Sequence, residues 1–205
     1  MKRFYALFFL CCVWAVNALA QLAPEFSTLD NPVFFRLQFT RGNVYLTDEG
    51  NGKLLKSQAA LPVDGQKFQF IGTKDKCVLR SASGHYVAMQ QGTAPDGRGG
   101  QFFAATTDAN KAVNFAFKAQ GKGYELANLG VSNNNYMNLF GGGGAGRVLG
   151  MWQYGDVGNA FVLKSGDEKV AMPNRYTAYH NVMRGLGEYP LAGVSTFAPK
   201  NPLTL

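Results

Sequence analysis

Cysteine is scarce in this sequence, with three residues in 205, at positions 11, 12 and 77. Cys11 and Cys12 lie in an apolar N-terminal run, so Cys77 is alone in the rest of the chain. Small secreted domains commonly use paired cysteines to stabilise the fold. A single cysteine excludes an intrachain disulfide, and a hydrophobic core must therefore hold this fold together.

Residue patterns that carry catalysis are also missing. The chain has only two histidines, and no His/Cys spacing is typical of a zinc site. No G-x-S-x-G motif is present, and no pair of carboxylates stands out for glycoside hydrolysis. Cys77 could pair with His85 as nucleophile and base, but an apolar strand start favours a buried inert thiol, with His85 at the surface beside a turn. We predict no catalytic residue, no metal site and no cofactor.

Clusters of basic residues are absent as well. The chain carries 20 Lys and Arg against 13 Asp and Glu, a net charge of +7. These charges are scattered and form no basic helical face, which argues against a nucleic-acid partner.

The N-terminus has the pattern of an export signal. Lys2 and Arg3 form a basic start, residues 4–16 are almost wholly apolar, and Ala18-Leu19-Ala20 supplies small residues for a signal peptidase. The apolar run is shorter than the roughly 20 residues that a membrane helix needs. We expect an exported protein, in the periplasm, at the cell surface or outside the cell, with cleavage before Gln21 and no membrane span. Cleavage leaves 18 basic and 13 acidic residues, a net charge of +5.

The mature chain divides into three regions. Residues 21–32 form a polar lead, residues 33–165 form a domain, and residues 166–205 form a linker or tail interrupted by prolines. In the central region, short runs of Phe, Val, Leu and Tyr alternate with Gly/Asn/Asp turns, and no 3.6-residue apolar period is sustained. This pattern predicts an all-β domain.

Three segments of the central region share one layout, which is the signature of a repeat fold. In each segment a tyrosine follows a Gly/Asn turn, and a phenylalanine begins the closing strand. An isolated hairpin is marginally stable, but three units can share one core and close into a barrel. The tyrosines lie 41 and 50 residues apart and the phenylalanines 47 and 46 residues apart. The equivalent positions, all predicted to be core, are Tyr45, Tyr86 and Tyr136, and Phe68, Phe115 and Phe161.

These units resemble the ricin-type β-trefoil (ricin B-like lectin) domain, whose repeats close with Gln-x-Trp. Gln66-Lys67-Phe68 keeps the glutamine and has Phe for Trp, whereas Val113-Asn114-Phe115 and Asn159-Ala160-Phe161 keep only the aromatic residue. The resemblance covers about residues 33–165. It implies three repeats with pseudo-threefold symmetry in an exported bacterial protein that binds carbohydrate.

The third unit follows the family layout best. In ricin-type lectins a sugar lies on an aromatic ring beside a carboxylate from the same repeat. The resemblance places Trp152 at the ring position, Asn138 where the family carries Asp, and Asn159 at the Gln of Gln-x-Trp, with Asp156 in the loop between. It implies that Trp152 forms the platform and that the other three hydrogen-bond the sugar. Asn138→Asp would restore the usual carboxylate and is expected to strengthen binding.

The other two units lack parts of this predicted sugar site. Thr47 and Asp48 lie near the corresponding place in the first unit, but no aromatic residue follows, and Ala88 occupies the position in the second unit. Residues 140–147 are rich in glycine but lack the Lys and Ser/Thr of a phosphate-binding loop and a following helix, so they predict a flexible hairpin connection.

The C-terminal tail carries a second resemblance. Residues 198–205 are similar to the linker before the catalytic domain of bacterial α-L-fucosidases. We therefore expect a carbohydrate-binding module that is accessory to a glycan-degrading enzyme, with a catalytic domain as partner in a longer chain. The alternative is a β-trefoil without a sugar site, acting as a spacer or a protein-interaction domain.

Overall fold

The computed structural model describes residues 22–167, and in this part of the chain the secondary structure is almost entirely β. Turns with Gly or Asn at positive φ, such as Gly42 and Asn43, separate runs of β-branched and aromatic residues. Two single 3-10 turns cover Asp64–Gln66 and Ala109–Lys111. The thirteen strands are β1 (Phe26–Ser27), β2 (Phe35–Phe39), β3 (Val44–Thr47), β4 (Lys56–Gln58), β5 (Phe68–Thr73), β6 (Lys76–Ser81), β7 (Tyr86–Thr93), β8 (Gly99–Thr106), β9 (Phe115–Gln120), β10 (Gly123–Asn128), β11 (Tyr136–Leu139), β12 (Leu149–Trp152) and β13 (Phe161–Ser165).

Six strands close into a ring of antiparallel pairs. β2 pairs with β5, β5 with β6, β6 with β9, β9 with β10, β10 with β13, and β13 returns to β2. A closed ring leaves no free edge for another chain to extend. The six-stranded barrel is therefore complete within residues 35–165.

The three repeats occupy equivalent places around this barrel. Phe68, Phe115 and Phe161 pair with Phe35, Cys77 and Tyr124, respectively, at the same step of each unit. Each unit also contributes a hairpin outside the ring, namely β3–β4, β7–β8 and β11–β12. The hairpins align Tyr45 with Gln58, Tyr86 with Thr106 and Tyr136 with Trp152. This is a β-trefoil, and the predicted equivalence of the tyrosines and phenylalanines is confirmed.

One hydrophobic core fills the barrel. The closing phenylalanines are at most 1% exposed, and Phe70 and Phe117 meet edge to face at 4.8 Å between ring centroids. Each buried aromatic side chain contributes about 1.5–3 kcal/mol through loss of apolar surface from water. Of the repeated tyrosines, Tyr45 is buried, whereas Tyr86 and Tyr136 are only half-buried. The phenylalanines therefore hold the core, and the tyrosines line its rim.

The polar lead also joins the barrel. β1 pairs in parallel with β5, and Phe26 packs against Phe117 at 5.7 Å and Phe70 at 6.3 Å between ring centroids. Residues 22–59 and 63–167 form one compact unit. The predicted export signal and the predicted linker beyond residue 167 lie outside the described residues, and no described helix is long and apolar enough to cross a membrane.

Candidate functional site

The third hairpin positions the predicted site residues. Asn138 lies on β11 and Trp152 on β12, and the loop from residue 153 to residue 160 returns the chain to the barrel at β13. Cross-strand pairing of Tyr136 with Trp152 and of Asn138 with Gly150 turns these side chains to one face of the hairpin. The opposite face carries Met137 and Leu149, which are buried in the core.

An aromatic surface covers the outer face. Trp152 is 49% exposed and Tyr154 is 62% exposed. The rings of Tyr136 and Tyr154 are 5.3 Å apart between centroids. Trp152 is therefore not a core residue, and it presents indole surface to solvent next to two phenol rings.

Asn138 ties the hairpin to the following loop. Its Nδ2 donates to Oδ1 of Asp156 at 3.0 Å and to Oδ1 of Asn159 at 2.7 Å. The backbone amide of Gly158 also donates to Oδ1 of Asp156, at 2.7 Å. A Cβ atom at Gly158 would lie 2.8 Å from Nδ2 of Asn138 and 3.0 Å from Oδ1 of Asp156, so a larger residue here would displace these two side chains.

Asn159 is fully buried beneath this network. Its Oδ1 accepts from Asn138, and its Nδ2 donates to the carbonyl of Gln153 at 2.8 Å and to Oε2 of Glu125 at 3.2 Å. These bonds join the hairpin, the loop and the barrel strand β10. These contacts give Asn159 a positioning role in the loop, and its predicted contact with a sugar stays a prediction.

Asp156 keeps one carboxylate oxygen open. Its Oδ1 accepts both bonds described above, and no hydrogen bond of the described residues involves its Oδ2. The side chain is half-buried. A carboxylate oxygen with unused lone pairs is an acceptor for hydroxyl groups.

Glu125 is the functional candidate that sequence reasoning missed. It is fully buried on β10, and its carboxylate accepts from the amide of Gly155 at 3.1 Å and from Asn159. Burial raises the pKa of the Glu125 carboxyl, and the nearby Asp156 adds to the effect. Burial also raises the pKa of the Tyr136 hydroxyl, with a contribution from Glu125. In the sequence, the sign that could have pointed to Glu125 is a charged residue between Tyr124 and Leu126 in an apolar strand.

The corresponding place in the first repeat is built differently. Asp48 is buried, and its Oδ2 accepts from Oγ of Ser81 at 2.6 Å and lies 2.8 Å from Nδ1 of His85. Nε2 of Gln66 donates to Oγ1 of Thr47 at 3.0 Å. His85 is therefore not the surface residue expected from the sequence, because a buried carboxylate from another repeat holds its ring. Gln58 takes the position of Trp152.

Cys77 is a free thiol inside the barrel. Cys77 is 1% exposed, and burial raises the pKa of its thiol to about 12. The thiol is therefore protonated at neutral pH and is no nucleophile. Within residues 22–167 no group of three or more His, Cys, Asp or Glu side chains is arranged to hold a metal ion.

Comparison with solved structures identifies the fold. The Macrolepiota procera ricin B-like lectin, solved with lactose, superposes with a TM-score of 0.54 at 15% identity and covers 68% of this chain and 99% of its own. The Rhizoctonia solani agglutinin superposes with a TM-score of 0.53 at 14% identity, covering 70% and 99%. The designed threefold-symmetric protein ThreeFoil gives 0.52 at 12% identity, covering 63% and 96%. No sequence family and no curated protein sequence matches the chain. The chain has the ricin-type β-trefoil fold.

Proposed function

We propose that this chain is an exported carbohydrate-binding β-trefoil module, that its third repeat holds the sugar, and that it serves a glycan-degrading enzyme as an accessory domain. The observation that carries the proposal is the indole of Trp152, which is 49% exposed on the outer face of the β11–β12 hairpin.

The chemistry of the site suits a sugar. A pyranose has an apolar C–H face and a rim of hydroxyls, which match an aromatic platform and nearby polar acceptors. Trp152 supplies the platform, and Oδ2 of Asp156 accepts from a hydroxyl. Asn138 remains 8% exposed, and its Oδ1 takes part in no hydrogen bond of the described residues. Two acceptors thus lie on the loop and the hairpin that carry the ring.

The site is also preorganised. Asn159 and Glu125 fix the loop from below through hydrogen bonds with Gln153, Gly155 and Asn138, and a further hydrogen bond joins Asn159 to Glu125. A loop that is already ordered loses little conformational entropy when the ligand binds. The structural neighbours agree with this proposal, since one of them was solved with lactose.

A glycan array probed with the mature chain tests the proposal. Binding to one sugar class, followed by calorimetric titration with that sugar, is the expected result. Absence of binding to every printed glycan, with the fold preserved by circular dichroism, would contradict it.

The export and accessory roles rest on the sequence. The signal pattern predicts a mature N-terminus at Gln21, which N-terminal mass spectrometry of the exported protein measures. The accessory role predicts that an antibody against residues 33–165 detects a larger protein that also degrades glycans. Detection only of a protein no larger than the 205-residue chain would contradict the accessory role and leave the sugar-binding proposal intact.

The alternative is a protein-interaction domain or spacer. It is favoured by Tyr154 and Val157, which are each 62% exposed and extend the apolar surface beyond one indole ring. A protein partner would cover this surface as a whole. Val157→Ser separates the two functions, because it removes apolar area from a protein interface and leaves the ring and acceptors of the sugar site in place.

A further inference from the structure

A groove extends the site beyond Trp152. It has a volume of about 340 Å³ and is lined by the rings of Trp152 and Phe140 and by polar groups of Gln101, Asn133 and Asn134. Phe140 lies beside Gly150, where a methyl group on the glycine would meet Cδ2 of the ring at 3.2 Å. Gly150 precedes Trp152 by two residues on β12, so the groove runs along this strand from one ring to the other.

The Phe140 ring, which lines this groove, also contacts an arginine side chain. The guanidinium of Arg98 is 4.5 Å from the centroid of the Phe140 ring, which is a cation–π contact. The same ring meets Phe102 edge to face at 5.1 Å, and Phe102 is buried. A fixed ring therefore holds the Arg98 guanidinium next to the groove.

Two more arginines reach the glycine-rich loop beside Arg98. A methyl group on Gly141 would lie 3.4 Å from Nη2 of Arg98 and 3.7 Å from Nη1 of Arg147. A methyl group on Gly142 would lie 3.6 Å from Nη2 of Arg41. These arginines come from three different repeats, because Arg41 lies between β2 and β3, Arg98 between β7 and β8, and Arg147 between β11 and β12.

This arginine cluster, composed of Arg41, Arg98 and Arg147, has surplus positive charge. Asp96 pairs with Arg98, with Nε of the guanidinium 3.1 Å from Oδ2. Within residues 22–167, Arg41 and Arg147 form no ion pair. Positive charges that are held close together repel one another, and an anion bound between them relieves this repulsion.

We propose that the groove and the arginine cluster bind a glycan carrying an oxyanion, either a sulfate ester or a uronate carboxylate, whose neutral sugar lies on Trp152. This inference rests on the proposed function and specifies its ligand class. Guanidinium groups pair with planar or tetrahedral oxyanions through two parallel N–H donors. Within the described chain the amides of Gly141 and Gly143 donate to no backbone acceptor, which adds donors at the same place.

The experiment uses an array on which each neutral oligosaccharide is printed beside its sulfated and its uronate-containing counterpart. We expect the anionic counterparts to bind about tenfold more tightly than the neutral sugar, and the difference to shrink as salt rises from 0.05 to about 0.5 M. Equal affinity of neutral and anionic sugars would overturn the inference and leave the proposed function standing. The uronate and sulfate arms identify which oxyanion is the ligand.

The Arg41→Gln/Arg147→Gln double variant tests whether the arginine cluster causes the preference for anionic sugars. It removes two charges that are unpaired within the described residues, and we expect it to abolish the preference for anionic sugars while the affinity for the neutral sugar is unchanged. Lys122→Gln/Lys74→Gln, on the turns β9–β10 and β5–β6, is the control with the same change of charge and is expected to retain the preference. Loss of the preference in this control would mean a diffuse charge effect and would overturn the site.

Two further outcomes separate the proposals. Binding of anionic sugars that needs the arginines but survives Trp152→Ala would contradict the proposed sugar platform and support the anion site. Competition by inorganic sulfate at the concentration at which it binds alone, with no gain from the attached sugar, would show a site for a free anion and would overturn the glycan assignment.

Discussion

In the first repeat the carboxylate beside the hairpin, Asp48, is enclosed by Ser81 and His85, whereas in the third repeat Asp156 keeps one oxygen unused. The two repeats share their scaffold closely. The amide of Asp48 donates to the carbonyl of Gly65, and the amide of Leu139 donates in the same way to the carbonyl of Gly158. The same backbone hydrogen bond therefore occurs in both repeats, although their carboxylates come from different positions: Asp48 follows strand β3, and Asp156 lies in the loop after strand β12.

The two repeats also differ at the position that Trp152 occupies in the third repeat. Trp152 and Gln58 occupy equivalent places opposite Tyr136 and Tyr45, and the glutamine binds Glu49 through Nε2 at 2.9 Å. In the first repeat the side chains of Asp48 and Gln58 are engaged in hydrogen bonds within the protein. The third repeat leaves an indole and an acceptor exposed, as a binding site requires.

The largest expected effect tests the shared scaffold. Phe161→Ala and Phe68→Ala each remove a fully buried ring from an equivalent place, and each is expected to lower the free energy of unfolding by about 3–5 kcal/mol. Because a typical total is about 5–15 kcal/mol, both variants are best measured at low temperature, where more of the protein stays folded. Urea unfolding of both variants is the measurement. A large loss in one variant and none in the other would show that the repeats do not share the core equally.

Trp152→Ala is expected to weaken sugar binding by about ten- to a hundredfold, because the apolar face of the sugar loses its platform. The melting temperature is expected to change little, since the ring faces solvent. Gln58→Ala is the matched control at the equivalent place and is expected to leave binding unchanged. Calorimetric titration of both variants tests the comparison directly, and equal losses would place the sugar elsewhere.

Asn138→Asp is expected to weaken binding, which reverses the expectation from the sequence. The substitution removes the donor to Asn159 and places a second carboxylate 3.0 Å from that of Asp156. Like charges at that distance repel and loosen the loop. Titration at pH 7 and at pH 4, where protonation relieves the repulsion, distinguishes this cause: the deficit is expected to shrink at the lower pH. Tighter binding at pH 7 would show that the family carboxylate fits here after all.

Glu125→Gln tests the buried carboxylate of the third repeat through the pH dependence of stability. Because the pKa of Glu125 is raised in the folded state, its favourable contribution is complete below the pKa of the unfolded chain and is lost as pH rises through the folded value. The stability of the Gln variant relative to the parent is therefore expected to increase between pH 4 and pH 7. Urea unfolding of both proteins across this range measures the difference, and a constant difference would contradict the burial of the charge.

Adding a reductant is expected to have no effect on stability. Cys77 occupies the barrel position that Phe35 and Tyr124 occupy in the other repeats, and it is a buried free thiol. The melting temperature of the mature protein is expected to be the same with and without a reductant. A drop on reduction would reveal a disulfide between two copies of the chain.

The fold was predictable because its signal is repeated three times. Alternating apolar runs and the phenylalanine spacing give the all-β barrel and its internal symmetry without reference to any long-range contact. The position of Trp152 on the hairpin was also predictable, since the third repeat follows the family layout in order. Its identity as a bound-sugar platform stays a prediction.

The rest depended on contacts between distant residues. Glu125 lies 34 positions before the asparagine that it holds, and nothing local marks that pairing. His85 looks like a turn residue until Asp48, 37 positions earlier, is placed beside it. Arg41, Arg98 and Arg147 are scattered in the sequence, so a search for basic clusters along the chain finds none, although folding brings all three to one loop.

The pairing of β13 with β2 has a consequence for how the chain folds. The first and last strands of the barrel are neighbours, so the ring closes only after residue 165 has been synthesised. Contacts between such distant segments make folding slow. A barrel that cannot close before its last strand is available is compatible with the export that we propose, because an unclosed chain can pass through an export channel.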